Sequence, residues 1–183
     1  MVEPLLTPRL SLREFAPEDF EALREMDGDP EVLRWRSRLV ITPEMTREFL
    51  AQAAAAAEAP RQLYAFAVTL RADGQLVGQC GLTIVNRGYD EAFLWYSLNR
   101  QVWGQGYTTE AARRVLQFGF EAAGLRRIFA ECKLENQASA RVMEKIGLRT
   151  ESQAAGNGAT AASRVRAALT AAEWVAAAGS GGA

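Results

Sequence analysis

The chain has 183 residues, 49% of them hydrophobic and 23% charged, which suits one ordinary domain with a substantial core. With 21 basic and 22 acidic residues the net charge is -1, so no global field favours nucleic acid or an anionic membrane, and no apolar run reaches the length of a membrane span. Histidine is absent and only Cys80 and Cys132 occur, which removes the commonest general base and supports neither a disulfide framework nor a metal cluster.

Glu3 and Pro4 stand where a secretory leader would place basic and then apolar residues, so a cytoplasmic protein is expected. Leu10, Leu12 and Phe15 give a first strand. Pro17-Glu18-Asp19 opens a helix with acids in its first turn, and Leu23 and Met26 supply its apolar positions. Thr42-Pro43-Glu44 repeats that signal, with Thr42 as cap, and the alanine-rich run from 51 to 59 continues the second helix until Pro60. Tyr64, Phe66, Val68 and Leu70 alternate, Asp73-Gly74 turns, and Leu76, Val77, Leu82, Ile84 and Val85 form the return strand of a hairpin. Cys80 within it, like Cys132 later, reads as a small buried hydrophobe.

Glu91 to Leu98 is short, apolar and rich in aromatics, the pattern of a buried strand, and it runs directly into Gln101-Val102-Trp103-Gly104-Gln105-Gly106. Gly104 and Gly106 permit positive φ, so successive N–H groups can turn toward one point. A helix follows from Tyr107 or Thr108, with Ala112, Val115, Leu116 and Gly119 on one face and Gly124 at its end. Strand, glycine loop and helix N-terminus together suit a phosphate or pyrophosphate. Arg126 to Lys133 reads as the next strand, and Asn136 to Gly147 as a helix with its glycine stop. Ser152 to Ala162 has the composition of a flexible loop, Val165 to Leu169 reads as a last strand, and Thr170-x-x-Glu173 is a capping box. Residues 1–178 then form one domain, and 179–183 a disordered tail.

Two common nucleotide-binding layouts do not fit. A dinucleotide fingerprint needs a third glycine where Thr109 stands, and a kinase or GTPase loop needs a lysine where Tyr107 stands.

The motifs resemble a third. Gln101-x-x-Gly104-x-Gly106 matches the [RQ]-x-x-G-x-[GA] pyrophosphate motif of the GNAT N-acetyltransferases, and Trp103-Gly104-Gln105-Gly106-Tyr107-Thr108-Thr109-Glu110-Ala111 resembles its W-G-x-G-Y-x-T-E-A form. Asn136-x-x-Ser139-x-x-Val142-x-Glu144-Lys145-x-Gly147-Leu148 is similar to a motif of the RimJ/RimL branch, which acetylates ribosomal-protein N-termini, and Thr7-Pro8-Arg9-Leu10-Ser11-Leu12-Arg13 is similar to that branch's opening. The resemblance implies a mixed α+β fold with a mostly antiparallel twisted sheet flanked by helices, and acetyl-CoA as cofactor.

It also implies roles for individual residues. Leu98, Asn99, Gln101, Val102, Trp103, Gly104, Gln105, Gly106, Tyr107, Thr108 and Thr109 would carry the cofactor, several of them through backbone N–H groups. Ser139 would donate to the departing thiolate, and Asn136 one turn earlier would hold the pantetheine or a water; the same two residues also read as a helix-capping pair. Many relatives place a tyrosine acid where this chain has Met143, and an acid where it has Phe93. Glu91 is the candidate base, although a solvated strand-end carboxylate would look the same.

The expected acceptor is a primary amine, with a protein or peptide N-terminus preferred and a monomer or homodimer as the working unit. Arg34, Trp35, Arg36 and Arg38 would form one acceptor wall by resemblance. A small-molecule N-acetyltransferase and a non-catalytic acyl-CoA-binding module share the cofactor motifs and stay open at this point.

Overall fold

The structure, a computed structural model, describes residues 2–36, 40–55, 61–86, 88, 90–154 and 163–180. Eight strands form one sheet: β1 (Leu5–Leu6), β2 (Leu10–Glu14), β3 (Leu63–Leu70), β4 (Leu76–Asn86), β5 (Glu91–Leu98), β6 (Arg127–Lys133), β7 (Arg149–Ala154) and β8 (Arg164–Thr170). The helices are α1 (Phe20–Gly28), α2 (Pro30–Leu33), α3 (Pro43–Ala55), α4 (Tyr107–Glu121), α5 (Gln137–Lys145) and α6 (Ala171–Ser180). The sheet order is β1-β2-β3-β4-β5-β6-β8-β7. Every neighbouring pair is antiparallel except β5 and β6. That exception follows from α4, since two parallel strands need a crossover and α4 is the element between them. The expected mixed α+β architecture is therefore the observed one.

The sheet's two faces carry different loads. On one, Leu10, Leu12, Phe66, Val68, Cys80, Leu82, Ala92, Leu94, Ile128 and Ala130 pack against Ala111, Ala112, Val115 and Leu116 of α4. On the other, Leu23, Met26 and Val32 make a smaller core with Phe15, Phe49 and Leu50. Phe15, Phe49 and Trp95 continue it edge to face, with centroids 5.2 and 6.2 Å apart, so α3 is tied to β5. Both cysteines are buried, as small hydrophobes would be.

Several local signals act as the sequence suggests. Thr42 accepts from Met45 N–H, Gly74 turns the hairpin at φ +76°, and Thr170 and Glu173 exchange bonds of 2.9 and 3.3 Å in a capping box. Other features differ. Phe15 lies just beyond its strand, β1 and α2 are additional short elements, and the described part of α3 ends at Ala55. The Ser152–Ala162 loop is a strand at its start: Ser152, Gln153 and Ala154 belong to β7, paired only with β8. An edge strand buries little, so a polar composition suits it and conceals it from a reading based on apolar pattern. Residues 155–162 lie outside the described residues, as does the tail from 181; Gly179 and Ser180 instead close α6, carried by the helix-forming alanines before them.

Gly81 sits at the crowded centre of the sheet, paired with Ala65 and Trp95. A Cβ there would lie 2.4 Å from the Tyr64 carbonyl oxygen and 2.4 Å from the Trp95 ring, and the backbone neighbour cannot turn away. Gly81→Ala is expected to lower the unfolding free energy by about 1–3 kcal/mol or more, measured by urea denaturation.

Candidate functional site

β5 ends at Leu98 and the chain passes at once into a tight turn. Asn99 accepts from Gln101 N–H at 3.3 Å, Val102 N–H donates to Asn99 O, and Trp103 N–H donates to Arg100 O. The Trp103 indole N–H reaches back to the Leu98 carbonyl at 2.8 Å, which fastens the loop to the strand it leaves. Gly104 and Gly106 then adopt φ of +77° and +82°. Gly106 is the N-cap of α4 and brings no side chain to cap it. The first bond into the helix runs from Glu110 N–H to Gly106 O, so the N–H groups of Tyr107, Thr108 and Thr109 precede every helical acceptor. A Cβ built on Gly104 meets nothing within 4 Å, leaving the loop open on that side. An uncapped helix start with its positive dipole end beside the open Gly104 has the donor geometry an anion requires.

A carboxylate holds this loop from behind. Glu110 accepts from the Thr7 hydroxyl at 2.6 Å, from Arg9 N–H at 3.0 Å and from the Arg9 guanidinium at 2.7 Å. Arg9 also donates to the Gln105 carbonyl at 3.0 Å and lies 4.3 Å from the centre of the Tyr107 ring. Two motifs about a hundred residues apart are thus one contact, and Arg9 and Glu110 support the loop in a way their sequence spacing did not reveal.

The next part of the site is a gap. β5 and β6 pair only at Glu91 with Arg127, Ala92 with Ile128 and Phe93 with Phe129. From Leu94 onward the edge of β5 facing β6 has no strand partner, and the first turn of α5 stands at the opening. Asn136 caps α5, its side-chain oxygen accepting from Ser139 N–H at 3.0 Å. The capping role is therefore realised, and it also fixes Ser139. The Tyr96 hydroxyl comes from β5 to within 2.9 Å of Ser139 Oγ and 3.3 Å of the Ser139 carbonyl. Cys132 bonds toward the same helix start, its thiol donating to the Asn136 carbonyl at 3.9 Å. Burial pushes the Tyr96 phenol and the Cys132 thiol upward, so both keep their protons at neutral pH. The structure places Met143 in the core beneath them.

Glu91 is elsewhere. It lies on the face of β5 opposite Tyr96, bound to Arg127 and 3.8 Å from Arg166. Arg127 also grips Glu151 at 2.5 Å, and Arg166 stands 3.6 Å from Glu131 and 3.8 Å from the centre of the Phe129 ring. The structure does not bring Glu91 and Ser139 together. Its carboxylate is held in an ion network at the paired end of the strands, while Phe93 packs on Phe129 at 5.4 Å.

The basic run after α2 divides in the same manner. Arg36 turns inward to Asp27 at 2.7 Å, where burial raises the Asp27 pKa and lowers that of Arg36. Arg34 stays exposed over Trp35, with its carbonyl receiving Lys133 Nζ at 2.6 Å. Arg38 lies outside the described residues. Among the described residues no cluster of metal-ligating side chains occurs, and no helix is long and apolar enough to cross a membrane.

Comparison with known proteins gives this geometry a context. The sequence profile of the Acetyltransferase (GNAT) domain matches residues 9–149. An acetyltransferase (GNAT family) from Bacillus anthracis is 30% identical, with a TM-score of 0.81 over 93% of this chain and 99% of that one. The fold is shared at lower identity by spermidine N-acetyltransferase from Vibrio cholerae in complex with CoA and spermine (14% identical, TM-score 0.81, 92% of this chain and 99% of that one). It is shared also by RimL, a ribosomal L7/L12 α-N-protein acetyltransferase in complex with CoA (16% identical, TM-score 0.80, 92% and 98% covered).

The loop's support is titratable. Burial raises the Glu110 pKa, but the bonds from Thr7 and Arg9 outweigh it, and the net position is below the ordinary 4.5. A depressed folded-state pKa contributes stability above the unfolded value, and that contribution drains away as pH falls through the folded value. In urea unfolding from about pH 7 to about pH 3, the stability advantage over Glu110→Gln should stay constant above roughly pH 5 and shrink below it. A pH-independent gap would show that the charge plays no part.

Proposed function

The chain belongs to the GNAT acetyltransferase family and is an acetyl-CoA-dependent N-acetyltransferase; from that premise we propose that its acceptor is the α-amine of a protein or peptide N-terminus. In this reading the backbone from Leu98 to Thr109 cradles the cofactor's pyrophosphate. Three features support the fit: the positive-φ glycines, the uncapped start of α4 and the unpaired edge of β5. Acetyl-CoA supplies an activated acetyl thioester, whose C–S bond breaks as the C–N bond forms, the electron pair passing to sulfur and the surplus amine proton to solvent. Ser139 faces the sulfur end with its hydroxyl, and Asn136 sets the start of the helix that carries it. Glu91, held by two arginines, acts as a structural counterion, and the amine enters already neutral.

One observation carries the choice of acceptor. Glu91, Glu131 and Glu151, carboxylates of the open face across β5, β6 and β7, all stand within ion-pair distance of Arg127, Arg164 or Arg166. A polyamine or aminoglycoside is a polycation and needs carboxylates that are not already neutralised. A peptide presents one amine followed by neutral amides, and so makes no demand on free carboxylates.

Thiol release from acetyl-CoA, screened against N-terminal peptides, spermidine and an aminoglycoside, should be fastest with peptides. Turnover of spermidine or the aminoglycoside with no release by peptides would sink the acceptor assignment while leaving the family intact. The cofactor placement has its own check. Gly104→Glu projects a carboxylate into the open side of the loop, so CoA affinity measured by calorimetry should fall about 100-fold or more, equivalent to two factors of ten in Kd. Wild-type affinity in that variant would move the pyrophosphate elsewhere.

A further inference from the structure

The hydroxyl of Tyr96 meets Ser139 from the strand side, a contact the catalytic reading has not used. Its ring belongs to the core packed beneath β5, but packing alone would be satisfied by phenylalanine. The oxygen is the part that demands explanation.

We propose that Tyr96 is a positioning residue for the transfer reaction: its O–H donates to Ser139, leaving the serine's own proton free to point at the sulfur of the bound thioester. The inference rests on the placement of that sulfur at Ser139. Proton arithmetic supports it. The Ser139 carbonyl, 3.3 Å from the Tyr96 oxygen, can only accept, so the phenolic proton is directed toward the oxygens of Ser139. A phenol is also a stronger donor than an aliphatic hydroxyl, and the Ser139 Oγ at 2.9 Å has lone pairs to receive it. The serine N–H is already committed to Asn136. Either hydroxyl could donate across that 2.9 Å contact; with the phenol's single proton shared between the carbonyl and Oγ, as proposed, Ser139 is held at its N–H, its carbonyl and its hydroxyl oxygen, and its own hydroxyl proton remains to be placed.

The arrangement stabilises a thiolate without transferring a proton to it. An alcohol is a far weaker acid than a thiol, so Ser139 keeps its proton and donates a hydrogen bond as the electron pair settles on sulfur. Tyr96 strengthens that bond by polarising the serine oxygen, since chained hydrogen bonds reinforce one another. Burial keeps the phenol protonated across the neutral range, so it retains the proton it donates to Ser139.

The relay substitutes for the acid missing at Met143, and it does so from a different element. Its test needs no acceptor. With free CoA as probe, the thiol of the bound molecule is titrated by its thiolate absorbance, against the same protein without CoA. In Tyr96→Phe the bound thiol pKa should rise by roughly half a unit to one unit, the worth of one hydrogen bond. Ser139→Ala should give at least the same rise, and Tyr96→Phe should add nothing in the Ser139→Ala background. In turnover with the fastest amine, Tyr96→Phe should lower kcat about 3- to 10-fold with KM for acetyl-CoA nearly unchanged, again one hydrogen bond. An unshifted thiol pKa in Tyr96→Phe beside a shifted one in Ser139→Ala overturns the role of Tyr96, as do additive effects in the double variant. No shift in Ser139→Ala overturns the placement of the sulfur at Ser139, and Tyr96 falls with it.

Discussion

A strand edge with unpaired N–H and C=O groups must find partners in water, in protein or in a ligand, and β5 offers such an edge because its ladder with β6 stops at Phe93. The stop comes from the change of direction in the sheet. On the β4 side β5 is paired antiparallel from Glu91 to Leu98, but on the β6 side it is parallel, joined through α4, and held together only where the strands enter. Beyond that point the two diverge, with α4 starting where β5 ends and α5 starting where β6 ends. Two helix N-termini and one free strand edge therefore border a single gap. A chain such as pantetheine, which carries amides, can add to that edge much as a strand would. The glycine loop, Ser139 and Tyr96 all take their positions from this one parting.

The loop at the mouth of the gap turns at positive φ in two places, Gly104 and Gly106, and is held by contacts from elsewhere in the chain. That support comes from outside the crossover. Thr7 and Arg9 are fixed by the β1–β2 connection, where Leu10 N–H and the Thr7 hydroxyl bond to each other across the turn. From there they reach Glu110 in the first turn of α4, and Arg9 continues to the Gln105 carbonyl. The negative charge of Glu110 also suits the helix start, which favours anions. One carboxylate thus satisfies the N-terminal strand from one side and leaves the outward N–H groups of the helix for another anion. This explains physically why an opening segment and a central loop carry matching motifs.

How much of this was legible in the sequence follows from which signals are local. The β5 span from Glu91 to Leu98 was readable to the residue, because an aromatic run bounded by a turn and a glycine loop has little other use. The loop's two glycines do adopt the positive φ their pattern suggests. Asn136 was readable as either ligand or cap, and the structure shows the cap. What escaped was either exposed or remote. β7 buries too little to leave an apolar pattern, and Glu91 shows its neutralising arginines, Arg127 and Arg166, only after the strands are laid side by side. Tyr96 looked like one more core aromatic because its ring is core. Only its oxygen is not, and sequence pattern records rings rather than the direction in which a hydroxyl points.

The pairing of Glu91 with arginine bears on the acceptor through the protonation state of the incoming amine. The chain has no histidine, and Glu91, the carboxylate read as a base, is committed to arginine. On the proposed reading the amine arrives neutral, and the fraction that does so depends on its own pKa. A peptide α-amine near 7.8 is about one-third neutral at a pH of roughly 7.5, whereas a lysine-like amine near 10.4 is neutral only about 0.1% of the time. A nearby positive charge that lowered each pKa by about a unit would raise the first to roughly 80% neutral and the second only to about 1%. On the proposed reading, in which no base serves the amine, a polyamine is the poorer match and an N-terminus the workable one.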